Sequence, residues 1–445
     1  MRRAAIVMPM RTPVGLPGGA LAAVPPNRLV GTAIGAVLGR SGIDPLRVEQ
    51  LVTAVPDPGV IRPALPRCGL SPELGEFTVG SGPGSGLRAL ITATMMVRSG
   101  AAGVVLAVGA EYPCAAPSFA AQFASVRTPA AGPGAPDAGP STDEQIALWA
   151  TEPARGQADS VRTEQLARHH GLDRTAADDF AAVSHRRAAR AHRQGVFGAE
   201  IAPTVVCARP DDPNSEVVRL VDRDEGLRDD VSHRAFAALP PFRPGGVTTA
   251  ANSSTRGLAA SACLVVAEDR LADLGLEPLA YLMDWASAAA PADATAPAAT
   301  GAIAKTLWRN GFELSDLALL EVEESSAVEV LALARVLGLT EHAGGSAEHA
   351  GGIADPADGR LNVHGGSIAL GEPGGAAGLR MVTTMLYELA RREGGLGLAV
   401  TPAGPDTALA AIFESPDRTP VSETPRGARF RGAGGRRSGR GRHRP

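Results

Sequence analysis

The stretch 362–380, NVHGGSIALGEPGGAAGLR, constrains this chain more than any other. It holds six glycines in nineteen residues, too many for an ordinary helix or strand, because a fixed glycine loses more backbone entropy than any other residue. Their spacing fits a backbone wrapped closely around something. A helix would follow through Ala376, Ala377 and Leu379 into the apolar run that ends at Leu386. A glycine-rich loop that opens a helix presents unpaired N–H groups and so suits an anion or an oxyanion. A tight turn packed on a helix accounts for the same residues.

The rest of the chain alternates apolar runs with such turns. Residues 4–9, AAIVMP, read as a buried strand, 27–40 as a helix and 48–55 as a strand. Residues 77–79 lead into a second glycine-rich segment, GSGPGSG at 80–86, then a helix over 87–98 and a strand over 104–108. The succession returns later: a strand at 317–322, a helix at 326–337, the glycine-rich turn and helix at 361–386, and a strand at 396–401. Two similar alternating halves predict an internally duplicated α/β core with buried strands.

Between the halves the character changes. Residues 128–140 are rich in Pro, Gly and Ala and read as an irregular loop. Residues 159–194 are charged and strongly helical, with Arg174, Asp178, Phe180, Ala181, Ser184, Ala188 and Ala191 at helical spacing. The histidines of this stretch, His169, His170, His185 and His192, sit among arginines and read as a solvated face, not as metal ligands. No metal site is expected.

At 445 residues the chain has room for two or three domains and a large core. Its 44% hydrophobic content is that of a soluble globular protein, and a net charge of −4 points to no particular partner. Four cysteines, Cys68, Cys114, Cys207 and Cys263, have no C-x-x-C spacing, so neither a zinc site nor a disulfide framework is indicated. They read as small buried hydrophobes. No stretch approaches the roughly 20 apolar residues that cross a bilayer, and Met1-Arg2-Arg3 leads into a strand. A soluble cytoplasmic protein is expected. The tail from about residue 415 carries eight arginines between 426 and 445 and reads as disordered. Arg/Gly tails can hold nucleic acid electrostatically, but nothing in the folded part points that way.

Four motifs, in order, resemble those of the thiolases. The chain opens with a strand followed by Arg11-Thr12-Pro13-Val14-Gly15, similar to the family's R-T-P-x-G. Residues 174–203 resemble its loop domain, and residues 240–254 its G-T-V-T-A-G-N-A-S segment. The stretch 362–380 resembles N-x-x-G-G-A-I-A-L-G-H-P-x-G-x-x-G-x-R. The resemblance covers residues 4–413. It implies the thiolase fold, a duplicated αβα-layered core of two similar βαβ halves with an inserted helical loop domain. The implied division is 1–117 plus 247–275 for the N-terminal half, 118–246 for the loop domain, 276–414 for the C-terminal half and 415–445 for the tail.

The resemblance also implies a coenzyme A pocket at Ser254, Ala250 and Gly404, with Ser254 against the pantetheine arm. Asn252 reads either as part of that lining or, with Ser254, as a cap of the next helix. At the reacting positions the chain departs from the family. The nucleophilic cysteine falls on Pro83, which has neither thiol nor N–H and is at home in a helix's first turn. The catalytic histidine falls on Glu372. The asparagine of N-E-A-F-A falls on Glu323, and the second cysteine, in a looser alignment, on Pro402. Ser81 and Ser85 flank Pro83 but make poor substitutes, and Cys68, upstream of the turn, is the cysteine placed to approach it.

Thiolase chemistry needs a thiolate, an imidazole and preorganised donors for the developing oxyanion. An ionised carboxylate only accepts. The expectation is therefore a thiolase-like protein that has lost acyl transfer by that route. It would bind acyl-CoA or a carrier-bound acyl thioester with no tightly held cofactor, as a homodimer or as the partner of a thiolase-like subunit. Chain-length factors paired with ketosynthases offer an analogy. Two alternatives stand beside it: an altered acyl-thioester enzyme using Glu372 as acid/base, and an ordinary acyltransferase.

Overall fold

A computed structural model describes residues 2–112, 156–209, 212, 215–228, 231–291, 296–339, 359–404 and 406–416. Cys114, the 128–140 segment and the tail from 417 lie outside these residues.

The N-terminal half is built from β1 (Ala4–Arg11), α1 (Pro26–Ser41), β2 (Gln50–Ala54), β3 (Gly75–Thr78), α2 (Ser85–Ser99) and β4 (Val104–Glu111). Next come α3 (Gly156–His169), α4 (Arg174–Arg193) and the two-stranded ribbon β5 (Thr204–Cys207) and β6 (Val217–Val221). Strand β7 (Ala259–Ala267) then returns to the half it left. The C-terminal half repeats the plan with β8 (Ala280–Ala289), α5 (Ala298–Asn310), β9 (Leu317–Val322), α6 (Ala327–Val336), α7 (Gly374–Arg391), β10 (Gly395–Gly404) and β11 (Thr407–Ser415).

The strand orders match. The sheet runs β3-β2-β4-β7-β1-β8-β11-β10-β9, so from the central junction outward one half reads β1, β7, β4, β2 and the other β8, β11, β10, β9. Pairing senses agree as well: β2 with β4 and β9 with β10 are parallel, and the remaining equivalent pairs antiparallel. The halves join at β1 and β8 through Ala5↔Tyr281 and Ile6↔Ala280.

Apolar residues on both faces of the central strands explain the layering. In β1, Ala5 and Val7 pack into a cluster with α1, while Ala4 and Ile6 pack into a second cluster that contains α2 and α7 from opposite halves. A third cluster joins the outer face of the second half to α3, α4, α5 and α6. Thus α2 and α7 form the central layer.

Three local expectations change. The 159–194 stretch is two helices, because Gly171 takes φ +58° and the Asp173 side chain accepts from the Ala176 N–H at 2.8 Å to start α4. His185 is not on a solvated face but 2% exposed, its ring 6.0 Å from that of Phe236. Burial, with help from the charge of Arg228, pushes its pKa down to about 3. Residues 178, 181, 185 and 188 share one side of α4, and that side faces the core, so the arginine-rich composition misled. Finally, Pro83 stands outside α2, one residue before its N-cap Gly84, and not in the first turn.

Candidate functional site

The carboxyl ends of β9 and β10 lie side by side and carry two of the motif positions. Glu323 follows β9, and its N–H donates to the Val400 carbonyl at 2.9 Å. Pro402 sits near the end of β10, close to Gly404, which pairs with Thr407 across an irregular turn. The first turn of α2 comes up against them from the other half. A Cβ on Gly84 would lie 2.3 Å from the Pro402 carbonyl oxygen, and Arg88 donates to the Ala403 carbonyl at 3.3 Å. Pro83 is thereby held beside Pro402.

Glu372 enters from the turn before α7. Its N–H donates to the Thr255 carbonyl at 2.7 Å and its carbonyl accepts from the Gly257 N–H at 2.8 Å. Residues 249–257 form a strap that is also bound to the Glu323 loop: the Ser254 N–H donates to the Ser325 carbonyl at 3.0 Å, and the Ser254 hydroxyl to that carbonyl at 3.4 Å. The structure therefore brings Pro83, Glu323, Glu372, Pro402 and Ser254 into one region. Ala250 packs partly buried against the outer cluster of the second half.

Asn252 has a different task from either expectation. Its side chain accepts from the Thr249 N–H at 2.8 Å and donates to Asp178 at 2.8 Å and to the Val247 carbonyl at 3.0 Å. It ties the strap to α4. The cap of α6 is Ser326, whose hydroxyl accepts from the Glu329 N–H at 3.3 Å.

The carboxylates are sealed in. Glu372 is 3% exposed and the Glu323 side chain 0%. Among the described residues neither Glu323 oxygen makes a hydrogen bond of good geometry; its compensation is the Ser367 hydroxyl and the Arg380 guanidinium, 3.9 Å away. Arg380 itself donates to Ser367 at 3.0 Å, and its Nε has no hydrogen-bond partner among the described residues. Burial and the charge of Glu372 outweigh Arg380 and push the pKa of Glu323 up to about 7. Burial pushes Glu321, two residues earlier on the same side of the strand, up to about 8.

Glu324 shows the contrast. It is equally buried but accepts from Ser184 at 2.7 Å, Asn362 at 2.8 Å and the Ile368 N–H at 3.2 Å. It ties the glycine-rich turn to α4. The resemblance had flagged its neighbour and passed over Glu324 itself, and only the long-range contacts reveal its role.

Glu321 and Glu323 make stability fall with rising pH. An unfolded glutamate releases its proton near 4.5, whereas these two retain theirs to about 7 and 8 when folded. The folded state therefore binds more protons across that interval, and the associated stability is fully present below about pH 4.5 and lost by pH 8. Glu321→Gln/Glu323→Gln should match the parent in urea unfolding at pH 4 and exceed it at pH 8.5 by on the order of a few kcal/mol. Identical parent and variant midpoints at pH 8.5 would refute the assignment.

The three described cysteines lie away from this region. Cys263 is buried in β7, its thiol pushed up to about 12 by burial. Cys68 is half-buried and donates to the Gly31 carbonyl at 3.4 Å, against α1 and not the glycine-rich turn. Cys207, also half-buried, lies 3.4 Å from Arg28. Ser81 is exposed, and Ser85 is buried in α2.

Residues 4–269 match the thiolase N-terminal domain and residues 276–415 the thiolase C-terminal domain. The chain belongs to the thiolase family. Similar relatives include an acetyl-CoA acetyltransferase of Chromobacterium violaceum, 31% identical over 423 residues, covering 93% of this chain and 99% of the relative. A probable acetyl-CoA acyltransferase of Staphylococcus aureus is 30% identical over 420 residues, with coverage of 93% and 99%. Among solved structures, the acetyl-CoA acetyltransferase of Syntrophomonas wolfei superposes with a TM-score of 0.74 at 27% identity, covering 93% of this chain and 100% of that one. Human mitochondrial 3-ketoacyl-CoA thiolase in complex with CoA gives 0.73 at 25% identity, with coverage of 93% and 98%.

Within this thiolase fold the glycines of the two motifs have a packing role. A Cβ on Gly86 of α2 would sit 2.5 Å from the Gly375 carbonyl oxygen of α7, and one on Gly378 would sit 2.6 Å from the Leu87 nitrogen. The two central helices touch backbone to backbone, so their glycines are required whether or not a reaction takes place beside them. No helix among the described residues is long and apolar enough to cross a membrane.

Proposed function

We propose that this thiolase-family chain binds an acyl-CoA or a carrier-borne acyl thioester without exchanging acyl groups by cysteine chemistry, and that it serves as partner to an active thiolase-like subunit. The observation that carries the reading is the identity of the residues at one point of the fold: Pro83, Glu372, Glu323 and Pro402 stand where the family's motifs place cysteine, histidine, asparagine and cysteine. Proline supplies no nucleophile and no N–H donor. A carboxylate next to a forming oxyanion opposes it unless protonated. Ser254, at the position the resemblance gives to the pantetheine arm, still lies beside the Glu323 loop, which favours binding over loss of all function.

A partner has a natural seat at β3, which ends the sheet and leaves Phe77 55% exposed. An unpaired edge strand with an exposed aromatic is a ready surface for another chain. A homodimer through this edge is the simpler form of the same proposal.

The second reading uses Glu372 as acid/base, and the electrostatic coupling of Glu323 to Glu372 favours it. One assay separates the two. Thiolysis of acetoacetyl-CoA by the purified chain is expected to match the buffer rate. Turnover abolished by Glu372→Gln would support the acid/base reading, and turnover abolished by thiol alkylation would restore an ordinary acyltransferase. Affinity purification of the tagged chain from its own cells is expected to bring down a second thiolase-family chain in near-stoichiometric amount.

A further inference from the structure

The strap 249–257 joins two segments that each carry a buried acid. On one side it meets the loop after β9. The Ser254 N–H donates to the Ser325 carbonyl at 3.0 Å, the Ala327 N–H donates to the Asn252 carbonyl at 2.8 Å, and Ser253 pairs with Ser326 in an antiparallel bridge. On the other side Thr255 and Gly257 hold the backbone of Glu372, at 2.7 and 2.8 Å. The Glu372 turn is entered through Gly371, whose φ of +95° suits glycine and strains any other residue. A handful of hydrogen bonds thus fastens the loop of Glu323 to the turn of Glu372.

The charges around the strap are unbalanced. Glu321, Glu323, Glu324 and Glu372 are each 3% exposed or less. Facing Glu323 are Arg380 from α7, Glu372 from the turn and Glu324 from its own loop, while Glu321 also faces Arg187 of α4 and Glu200. The strap itself contributes Arg256, which pairs with Glu111 at 3.3 Å. Arg380 lies 3.9 Å from Glu323, too far for a hydrogen bond, and donates to Ser367 instead. One distant guanidinium therefore stands against two carboxyls on the segments that the strap joins. We propose that the strap is a proton-controlled clasp, closed while Glu323 holds its proton and released from the Glu323 loop when Glu323 becomes charged beside Glu372. Opening lets water reach both carboxylates, which removes the cost of burying two like charges. It also uncovers the motif positions that the closed strap seals. Burial and the charge of Glu372 push Glu323 up to about 7, so the clasp loosens on the alkaline side of neutrality. The device goes beyond the reading above and does not depend on which ligand the site takes.

Amide hydrogen exchange of the full chain, read by mass spectrometry at pH 6 and pH 8.5 with labelling times scaled to the intrinsic rate, tests the clasp. A carboxyl that titrates near 7 when closed and near the ordinary 4.5 when open favours opening about tenfold more at pH 8.5 than at pH 6. The amides of 252–257 and 325–327 are expected to exchange faster than those of β7 at both pH values and to lose about tenfold in protection between them. Glu323→Gln should abolish that loss. Glu321→Gln, which changes a neighbouring buried acid without touching the pair, should leave it in place. Glu372→Gln, which removes only the facing charge, should shrink it, and it serves where Glu323→Gln does not fold. The clasp is overturned if the strap keeps its protection at pH 8.5, if it exchanges in step with β7, or if the loss is undiminished in either variant of the pair.

Discussion

Arg11→Met should leave little or no soluble folded protein. Arg11 is 0% exposed and holds together three distant segments: Nε donates to Glu200 at 2.6 Å, and Nη1 and Nη2 donate to Asp224 at 2.7 and 3.0 Å. Burial opposes its charge, but Asp224 and Glu200 outweigh burial and hold its pKa above the ordinary value. Methionine fills much of the same space and carries no charge, so two buried carboxylates would lose their counterion at once. Glu200 would keep the Thr384 hydroxyl at 3.0 Å and Asp224 the Val14 N–H at 2.7 Å. Breaking one buried pair costs about 3–5 kcal/mol, and a folded domain has only about 5–15 kcal/mol in total. Urea unfolding followed by circular dichroism checks this, and a midpoint close to the parent's would refute it. Arg11→Met/Glu200→Gln/Asp224→Asn should recover most of the loss, because neutral isosteres remove the stranded charge.

Gly375→Ala should be nearly as damaging, for a steric reason. A Cβ there would lie 2.1 Å from the Ala54 carbonyl oxygen and 2.8 Å from that of Ala110. Both are backbone atoms at the ends of β2 and β4, neighbours in the sheet, so neither can swing aside as a side chain would. A methyl forces α7 away from the sheet and from α2 and opens the central layer, at a cost above the roughly 1–3 kcal/mol of ordinary overpacking. Gly39→Ala in α1 is the control: nothing lies within 4 Å of its Cβ, and alanine in a helix gains about 0.5–1 kcal/mol over glycine. Opposite signs are expected for one chemical change at two positions. A Gly375→Ala protein as stable as the parent would show that the central helices can part without penalty.

Both predictions bear on why the motifs persist. The Arg-Thr-Pro opening and the glycine-rich stretch look like signatures of a reaction, yet Arg11 neutralises buried acids and the glycines allow two helices and a sheet to meet. The fold needs both features whatever chemistry takes place beside them. Stability variants therefore do not report on chemistry in this protein, and the thiolysis and affinity-purification measurements are the informative ones.

The sequence by itself determined the family and the two matching halves, because these depend on local spacing: glycines at fixed intervals, apolar runs of strand length and motifs in order. The tertiary structure alone decided what individual side chains experience. His185 lies among arginines in the chain yet faces the core, and Asn252 ties the strap to α4 instead of capping a helix. Glu323 and Glu324 are neighbours with opposite surroundings, one poorly compensated beside Arg380 and one held by three donors. Charge state and accessibility follow from burial and from partners dozens to hundreds of residues away, and spacing along the chain does not encode either.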